Sequence, residues 1–228
     1  MVKRASIEFV QANEPIKKPV TKFGGQPIWL SEPEWPISPS TERPMQFICQ
    51  IELLPEIFGE PSGRMAYLFM TVAEENDYVD GTWDPEGGEN AVIIQPKPLG
   101  RELSVTTDAL IDGPTLYSLD KETEEREPVE FAVKLTPSED PDFVDAAIFL
   151  KWEESRRKAH TQTLSGNKLG GTPLFIQDAE FPLGLNSKLL LQLDSTAVPF
   201  HIDFGDAGVG YVFISEDGSE GKFLWQCL

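Results

Sequence analysis

Apolar and polar side chains alternate along short stretches of the chain, a spacing that is typical of β-strands. In residues 45–53 every second side chain is apolar, so these side chains share one face of the predicted strand, and only Ile48 breaks the alternation. The run 64–72 is more continuously apolar, which predicts a strand buried on both faces. Further strands, the first of them at an edge, are predicted at 6–10, 27–30, 91–95, 103–105, 117–119, 129–135, 174–177, 189–193, 211–214 and 222–227.

One helix is predicted in the second half of the chain. Residues 138–141, SEDP, are typical of a helix start, since Ser caps helices and Pro suits the first turn. Val144, Ile148 and Trp152 follow at four-residue spacing, and the basic residues 156–158 suit a helix C-terminus. These patterns predict a mainly β fold with one or two helices, and an α+β fold is the alternative.

Two stretches of the chain nearly copy each other. Residues 22–30 read KFGGQPIWL and residues 168–176 read KLGGTPLFI. Three further blocks recur in the same order: EWP at 34–36 with EFP at 180–182, CQIE at 49–52 with LQLD at 191–194, and AYLFM at 66–70 with GYVFI at 210–214. Four blocks in one order predict an internal duplication, with repeats 22–70 and 168–214 inside a single domain, 1–228.

The glycines and prolines of the repeated block predict two matching turns. Glycine allows backbone angles that are closed to other residues, and proline fixes the entry to the next segment. The turn residues are Gly24, Gly25, Pro27, Gly170, Gly171 and Pro173. A phosphate loop would need a glycine-rich turn that opens a helix, so a repeated structural turn is favoured. Because a few strands cannot bury enough surface alone, the halves are expected to pack as sheets in one body.

Composition limits the classes of partner. The chain has 228 residues, a formal net charge of −19 and 40% apolar residues, which argues for an acidic folded protein. Nucleic acid is excluded as a direct partner, because phosphate binding needs clustered Lys and Arg. No apolar run approaches the ~18 residues of a membrane span, and the N-terminus lacks a signal-peptide core. A cytoplasmic protein without a membrane partner is therefore expected. Its acidity either serves solubility or suits a basic protein partner.

The residues that could carry catalysis are few. His160 and His201 are the only histidines, and no Gly-x-Ser-x-Gly motif is present, so no catalytic residue is predicted. The clustered carboxylates do not match a calcium loop, and no metal or other cofactor is predicted. Cys49 and Cys227 should be reduced thiols, because two cysteines do not make a disulfide scaffold.

An acidic, glycine-rich segment at 77–89 contains one tryptophan. An aromatic anchor surrounded by charge has the composition of a protein contact site, and the segment has no counterpart in the second repeat. The candidate partner surface consists of Asp77, Asp80, Trp83, Asp84 and Glu86. The alternative is a solvated loop whose tryptophan packs inward.

Several of these blocks together resemble the YwqG-like family, a bacterial domain family of unassigned function, over roughly residues 20–228. They are Lys-x-Gly-Gly-x-Pro, Trp35-Pro36, and the runs 47–51, 189–194 and 204–214. Where the family usually has Trp before Gly-Asp, this chain has Phe204. The resemblance implies a mainly β, internally duplicated fold without established catalytic residues. Some family members look like immunity proteins encoded beside secreted polymorphic toxins.

The sequence thus predicts a non-enzymatic cytoplasmic protein-binding module, and the resemblance suggests an immunity protein that neutralises a toxin by direct contact. An acidic surface would steer such a protein toward a basic partner. The alternative is an enzyme or a small-ligand-binding domain with its site in the cleft between the two repeats. The oligomeric state is left open.

Overall fold

The computed structural model describes residues 1–59, 63–73, 79–96, 113–120 and 122–228, and this part is mainly β. The strands are β1 (Val2–Gln11), β2 (Lys22–Gly24), β3 (Gln46–Glu52), β4 (Met65–Met70), β5 (Asn90–Gln95), β6 (Tyr117–Leu119), β7 (Arg126–Pro128), β8 (Glu130–Asp140), β9 (Lys168–Gly170), β10 (Lys188–Asp194), β11 (Val209–Ile214) and β12 (Gly221–Gln226). The helices are α1 (Pro55–Phe58), α2 (Ala146–Phe149) and α3 (Glu154–Leu164), with a 3-10 turn at Ser195–Ala197.

Ten of these strands form one antiparallel sheet in the order β12-β11-β10-β9-β1-β8-β2-β3-β4-β5. The sheet curls until its two edges nearly meet, since a Cβ on Gly221 of β12 would collide with Val92 of β5. Strands β6 and β7 form a separate hairpin. The mainly β prediction is confirmed, and the strand predicted at 103–105 lies outside the described residues.

The two halves of the chain exchange their first strands. β1 precedes the first repeat but pairs with β9 of the second, whereas β8 precedes the second repeat and pairs with β2 of the first. β1 and β8 pair with each other from Val2↔Asp140 to Gln11↔Phe131. The prediction of an edge strand at 6–10 is therefore wrong, because β1 is paired on both sides. The halves join within one sheet rather than as two separate sheets.

Apolar residues are buried on both faces of this sheet. All six residues of β4 are buried, as its continuous apolar run predicts, and all six residues of β11 are buried as well. Leu68 and Val212 belong to an inner core that both halves share. Tyr67 and Tyr211 belong instead to two outer clusters, one for each half. The matching placement in the two halves supports the proposal of an internal duplication.

A β-bulge explains the one break in the alternation of the strand at 45–53. The pairing of β3 with β4 shifts register between Phe47 and Cys49, so Ile48 is an additional residue that stays buried. β10 has the same irregularity between Leu189 and Leu191. The bulges therefore fall at aligned positions of the two repeats.

The residues after each repeated turn are not strands, so the predictions at 27–30 and 174–177 are wrong. Side chains, and not a neighbouring strand, satisfy their backbone groups. In the first half, Ile28 N–H donates to Gln50 Oε1 (2.7 Å), and Tyr67 O–H donates to Ile28 O (2.8 Å).

The second half repeats this arrangement. Leu174 N–H donates to Gln192 Oε1 (2.8 Å), and Tyr211 O–H donates to Leu174 O (2.6 Å). Aligned rings also pack alike, because Trp29 lies 4.5 Å from Tyr67 and Phe175 lies 5.1 Å from Tyr211. Long loops thus cover the outer faces of the sheet in both halves.

The helix prediction is only partly correct. Residues 138–140 continue β8, because β1 supplies a pairing partner as far as Asp140, and this pairing overrides the local capping signal. The helical residues that follow are divided between α2 and α3, and Arg156 lies near the start of α3, not at a helix C-terminus. No helix in the described ranges is long and apolar enough to cross a membrane.

The repeated turn of the second half encloses a buried lysine. Lys168 is 0% exposed, and its Nζ donates to Asp140 Oδ2 (2.8 Å), Leu164 O (2.8 Å) and Thr172 O (2.6 Å). Burial lowers the pKa of Lys168 to about 8, whereas the hydrogen bond with Asp140 raises it. The Asp140 carboxylate and the two backbone carbonyls that accept from Nζ stabilise the ammonium form of Lys168. Arg4 Nη1 also lies 3.1 Å from Asp140 Oδ1.

Lys22 occupies the same place in the first half. Its Nζ donates to Glu130 Oε1 and to the backbone carbonyl four residues further on (2.6 Å). Glu130 and Asp140 are the first and last residues of β8, so this strand supplies both carboxylates. The two carboxylates do not occupy equivalent positions in the two halves. Glu130 lies opposite the first turn, but the residue opposite the second turn is Arg4 and not Asp140.

The four turn glycines all have left-handed backbone angles, with φ between 64° and 82°. Other parts of the chain also approach them closely. A Cβ on Gly170 would lie 2.8 Å from Lys3 O, and a Cβ on Gly171 would collide with Asp140 Oδ2. Pro27 and Pro173 follow the turns as buried residues.

Removal of one partner of the buried ion pair of the second half should destabilise the protein strongly. The variant Asp140→Asn should lower the free energy of unfolding by about 3–5 kcal/mol, because it leaves a buried ammonium without its counter-charge. Urea unfolding measures this loss. The control is Glu8→Gln, which breaks the exposed Lys134–Glu8 pair and should cost no more than about 1 kcal/mol. Equal losses in the two variants would contradict the structural role of the buried pair.

The close approach at Gly171 can be separated from its backbone angle. Gly171 and Gly184 have nearly the same φ, +82° and +84°, but nothing lies within 4 Å of a Cβ on Gly184. Gly171→Ala should therefore destabilise the protein by about 1–3 kcal/mol more than Gly184→Ala, since only Gly171→Ala overpacks the turn. Thermal and urea unfolding of the two variants compare them, and equal destabilisation would refute the close contact.

Candidate functional site

A cleft lies where the two halves meet at the second repeated turn. We call it the inter-repeat cleft, and its volume is about 470 Å³. Val2, on β1, and Ile57 and Phe58, on α1, contribute from the first half. The second half contributes the turn at Gly170 and the aromatic residues Phe143, Phe181 and Phe213. A ligand site between the repeats, the sequence-based alternative, stays a prediction.

Aromatic side chains form one wall of the inter-repeat cleft. Phe181 packs edge-on against Phe143 at 5.3 Å and against Phe213 at 5.6 Å. Phe143 remains 42% exposed, and Leu185 at the same cleft is 83% exposed. Large apolar side chains that remain open to water in a concave site are typical of ligand pockets.

The charged residues among the described lining of the inter-repeat cleft are Lys3 and Lys188, and none is acidic. Lys188 is half-buried, and its Nζ donates to Phe58 O at 2.8 Å. This local excess of positive charge contrasts with the net charge of −19 of the whole chain. The cleft therefore differs from the general surface in charge as well as in polarity.

A second cavity of about 780 Å³ lies beside the turn of the first repeat. Gln26 and Gln46 line it at positions that align with Thr172 and Lys188 of the inter-repeat cleft. Its wall also reaches Ala73, which borders residues outside the described part of the chain.

The structure brings four of the five predicted partner-surface residues into one short segment, and Asp77 lies outside the described residues. Trp83 is 44% exposed, and its indole N–H donates to Asp80 Oδ1 at 3.3 Å. Asp84 Oδ1 accepts from Glu86 N–H at 2.8 Å, which closes a turn. The indole is therefore partly packed and partly available for contact.

Both histidines pack against aromatic rings. His160 lies within α3 and packs edge-on against Trp152 at 5.1 Å, and His201 stacks on Tyr117 at 5.1 Å. Burial lowers the pKa of both histidines. Within the ranges that the structure describes, no cluster of His, Cys, Asp or Glu is suited to hold a metal ion.

The two cysteines are free thiols in the structure. Cys49 is fully buried, and burial raises the pKa of its thiol, which makes the thiolate unfavourable. Cys227 is half-buried.

Sequence reasoning missed two groups of residues. The buried ammonium groups of Lys22 and Lys168 were not expected, although a lysine that begins both copies of the repeated block is a usable signal. The inter-repeat cleft residues Lys188 and Leu185 gave no sequence signal, because the cleft unites segments that are far apart in the chain.

A comparison with curated proteins finds no match for this chain. The model of one protein family matches residues 21–223. This range is most of the chain and includes both repeats with their repeated turns. The chain therefore belongs to the family described as Domain of unknown function (DUF1963).

Proposed function

We propose that this protein is a non-enzymatic binding protein that recognises a basic protein partner through the acidic segment around Trp83. The observation that supports this most is the 44% exposure of Trp83 among Asp80, Asp84 and Glu86. Partly exposed aromatic residues surrounded by charge are typical anchors of protein interfaces.

The segment is attached to the rest of the protein at several points. Asn90 Nδ2 donates to Thr82 O (3.1 Å) and to Asp84 O (2.9 Å) on either side of Trp83. Trp225 N–H, on β12, reaches Trp83 O at 3.4 Å. A surface that is already held in place loses less conformational entropy when a partner binds.

Carboxylates are crowded near this segment. Burial raises the pKa of Glu180, and the negative charge of Asp84 raises it further. A cationic partner would relieve this repulsion, and the net charge of −19 would steer it toward the surface. The same field disfavours nucleic acid and anionic membranes.

The proposal has a more specific form. The YwqG-like resemblance is compatible with the family shown above, and some YwqG-like proteins look like immunity proteins. We propose that this chain acts in the cytoplasm and neutralises a toxin by direct contact. A gene for a basic, toxin-like protein next to the gene for this chain would identify the partner to test.

Salt dependence tests the electrostatic part of the proposal. The association rate with the neighbouring gene's product should fall steeply between ~50 and 500 mM salt, because screening shortens the range of the field. Neutralising Asp80, Asp84 and Glu86 to their amides should flatten that dependence, and Trp83→Ala should speed dissociation.

The control neutralises Glu122, Glu125 and Glu127 of the β6–β7 hairpin, which are exposed. It changes the net charge by the same amount at a different place. Equal effects of the two triple variants would show that only total charge matters, which would contradict recognition by the Trp83 segment.

A second function is supported by the inter-repeat cleft. Its volume of about 470 Å³ lies within the ~300–1,000 Å³ of small-molecule sites, and such sites are mostly apolar with few polar groups. We propose that this cleft binds a small organic ligand, whether or not the protein also binds a partner at Trp83.

A further inference from the structure

We propose that the inter-repeat cleft takes a small organic anion: a single carboxylate or sulfonate group on a small apolar body. This inference rests on the second proposed function, ligand binding in the cleft, and specifies the class of ligand. It is independent of the protein partner proposed for the Trp83 segment.

The charge of the lining is the first argument. The chain has 38 acidic residues and 19 basic ones, yet the described lining of the cleft contains Lys3 and Lys188 and no carboxylate. A cationic ligand would meet two positive charges in this lining and no carboxylate of the lining to pair with. An anionic ligand would find the complementary charge that is scarce elsewhere on this protein.

Lys188 has hydrogen-bonding capacity for such a group. An ammonium group has three N–H donors, and in the described part of the chain the Nζ of Lys188 donates to Phe58 O alone. Glu216 and Asp217 line a small adjacent cavity with Lys188, and Oδ1 of Asp217 already accepts hydrogen bonds from Ser215 and Ser219, which lower the pKa of Asp217 to about 2. Two donors of Lys188 therefore remain for a ligand oxygen.

The apolar wall is the second argument. Phe143, Phe181 and Phe213 form an edge-to-face series along the cleft, and Ile57 also lines it. Leu185 at the rim is 83% exposed, so covering it would remove apolar surface from water. A purely polar anion such as inorganic phosphate would leave this wall exposed.

The size of the cleft favours a small molecule over a protein segment. A volume of about 470 Å³ corresponds to a small-molecule site, whereas a stable protein interface needs a contact of ~800 Å² on each partner. A peptide or a second copy of the chain is thus disfavoured as the occupant, and the experiment below distinguishes a second copy from a small molecule.

Fluorescence of 1-anilinonaphthalene-8-sulfonate, an aromatic sulfonate, provides the test. The native protein should bind this probe, and decanoate should displace it. Decanol has the same chain length without the charge and should compete at least about tenfold less well, since charge-assisted hydrogen bonds are stronger than neutral ones. Decyltrimethylammonium, which has the opposite charge, should not compete.

Variants locate the site. Lys188→Gln should weaken decanoate binding about tenfold, through loss of a charge-assisted hydrogen bond, whereas Lys188→Arg should retain most of the affinity. Leu185→Asp should weaken binding strongly because it places a carboxylate at the rim. Its control is Ile37→Asp, since Ile37 is also exposed, at 54%, and does not line the cleft. Because both positions are exposed, the two variants should remain folded, and circular dichroism checks this.

The outcomes separate the inference from the function on which it rests. If decanol competes as well as decanoate and Leu185→Asp weakens both, the cleft binds ligands but the anionic class is wrong. If no probe binds the folded protein, or if binding ignores Lys188 and Leu185, both the inference and ligand binding in the cleft are overturned. Probe binding that appears only with dimer formation in sedimentation experiments would assign the cleft to a second copy and overturn the inference.

Discussion

The buried ammonium groups of Lys22 and Lys168 are the contacts on which the arrangement of the sheet depends. A charge enclosed in this way costs several kcal/mol unless it is paired and hydrogen-bonded. Both lysines meet a carboxylate from β8, one at each end of that strand. β8 must therefore lie beside both repeated turns, and this position places it between β1 and β2 at the centre of the sheet.

The exchange of first strands has consequences for stability and for function. Neither half can complete its own sheet, because β2 needs β8 and β9 needs β1. Both candidate surfaces lie where the halves meet. The inter-repeat cleft forms between β1, α1 and the second turn, and the Trp83 segment lies against β12 where the two edges of the sheet approach each other. Sites at such boundaries are common, because a boundary between units provides concave surface.

The sequence predicted turns and buried strands, but it did not predict the contacts between distant segments. The glycines at 24–25 and 170–171 predicted turns because positive φ is a local requirement, and the apolar run of β4 predicted burial on both faces. The partner of Lys168 was not predictable from the repeat. In the first half the residue opposite the turn is Glu130, which pairs with Lys22, but in the second half that position holds Arg4. The carboxylate that pairs with Lys168 comes from Asp140 instead. The helix start at 138–141 failed because pairing with β1 outweighs a local cap.

Hydrogen exchange of the native protein tests most directly the central claim that the two halves form one cooperative unit. In Asp140→Asn, the damaged ion pair lies in the second half, near β9. The account predicts that the opening free energy of the amides falls by the same amount in β4 and in β11, because strands shared by both halves unfold together. A loss of protection confined to β11, with β4 as protected as in the unmodified protein, would contradict it.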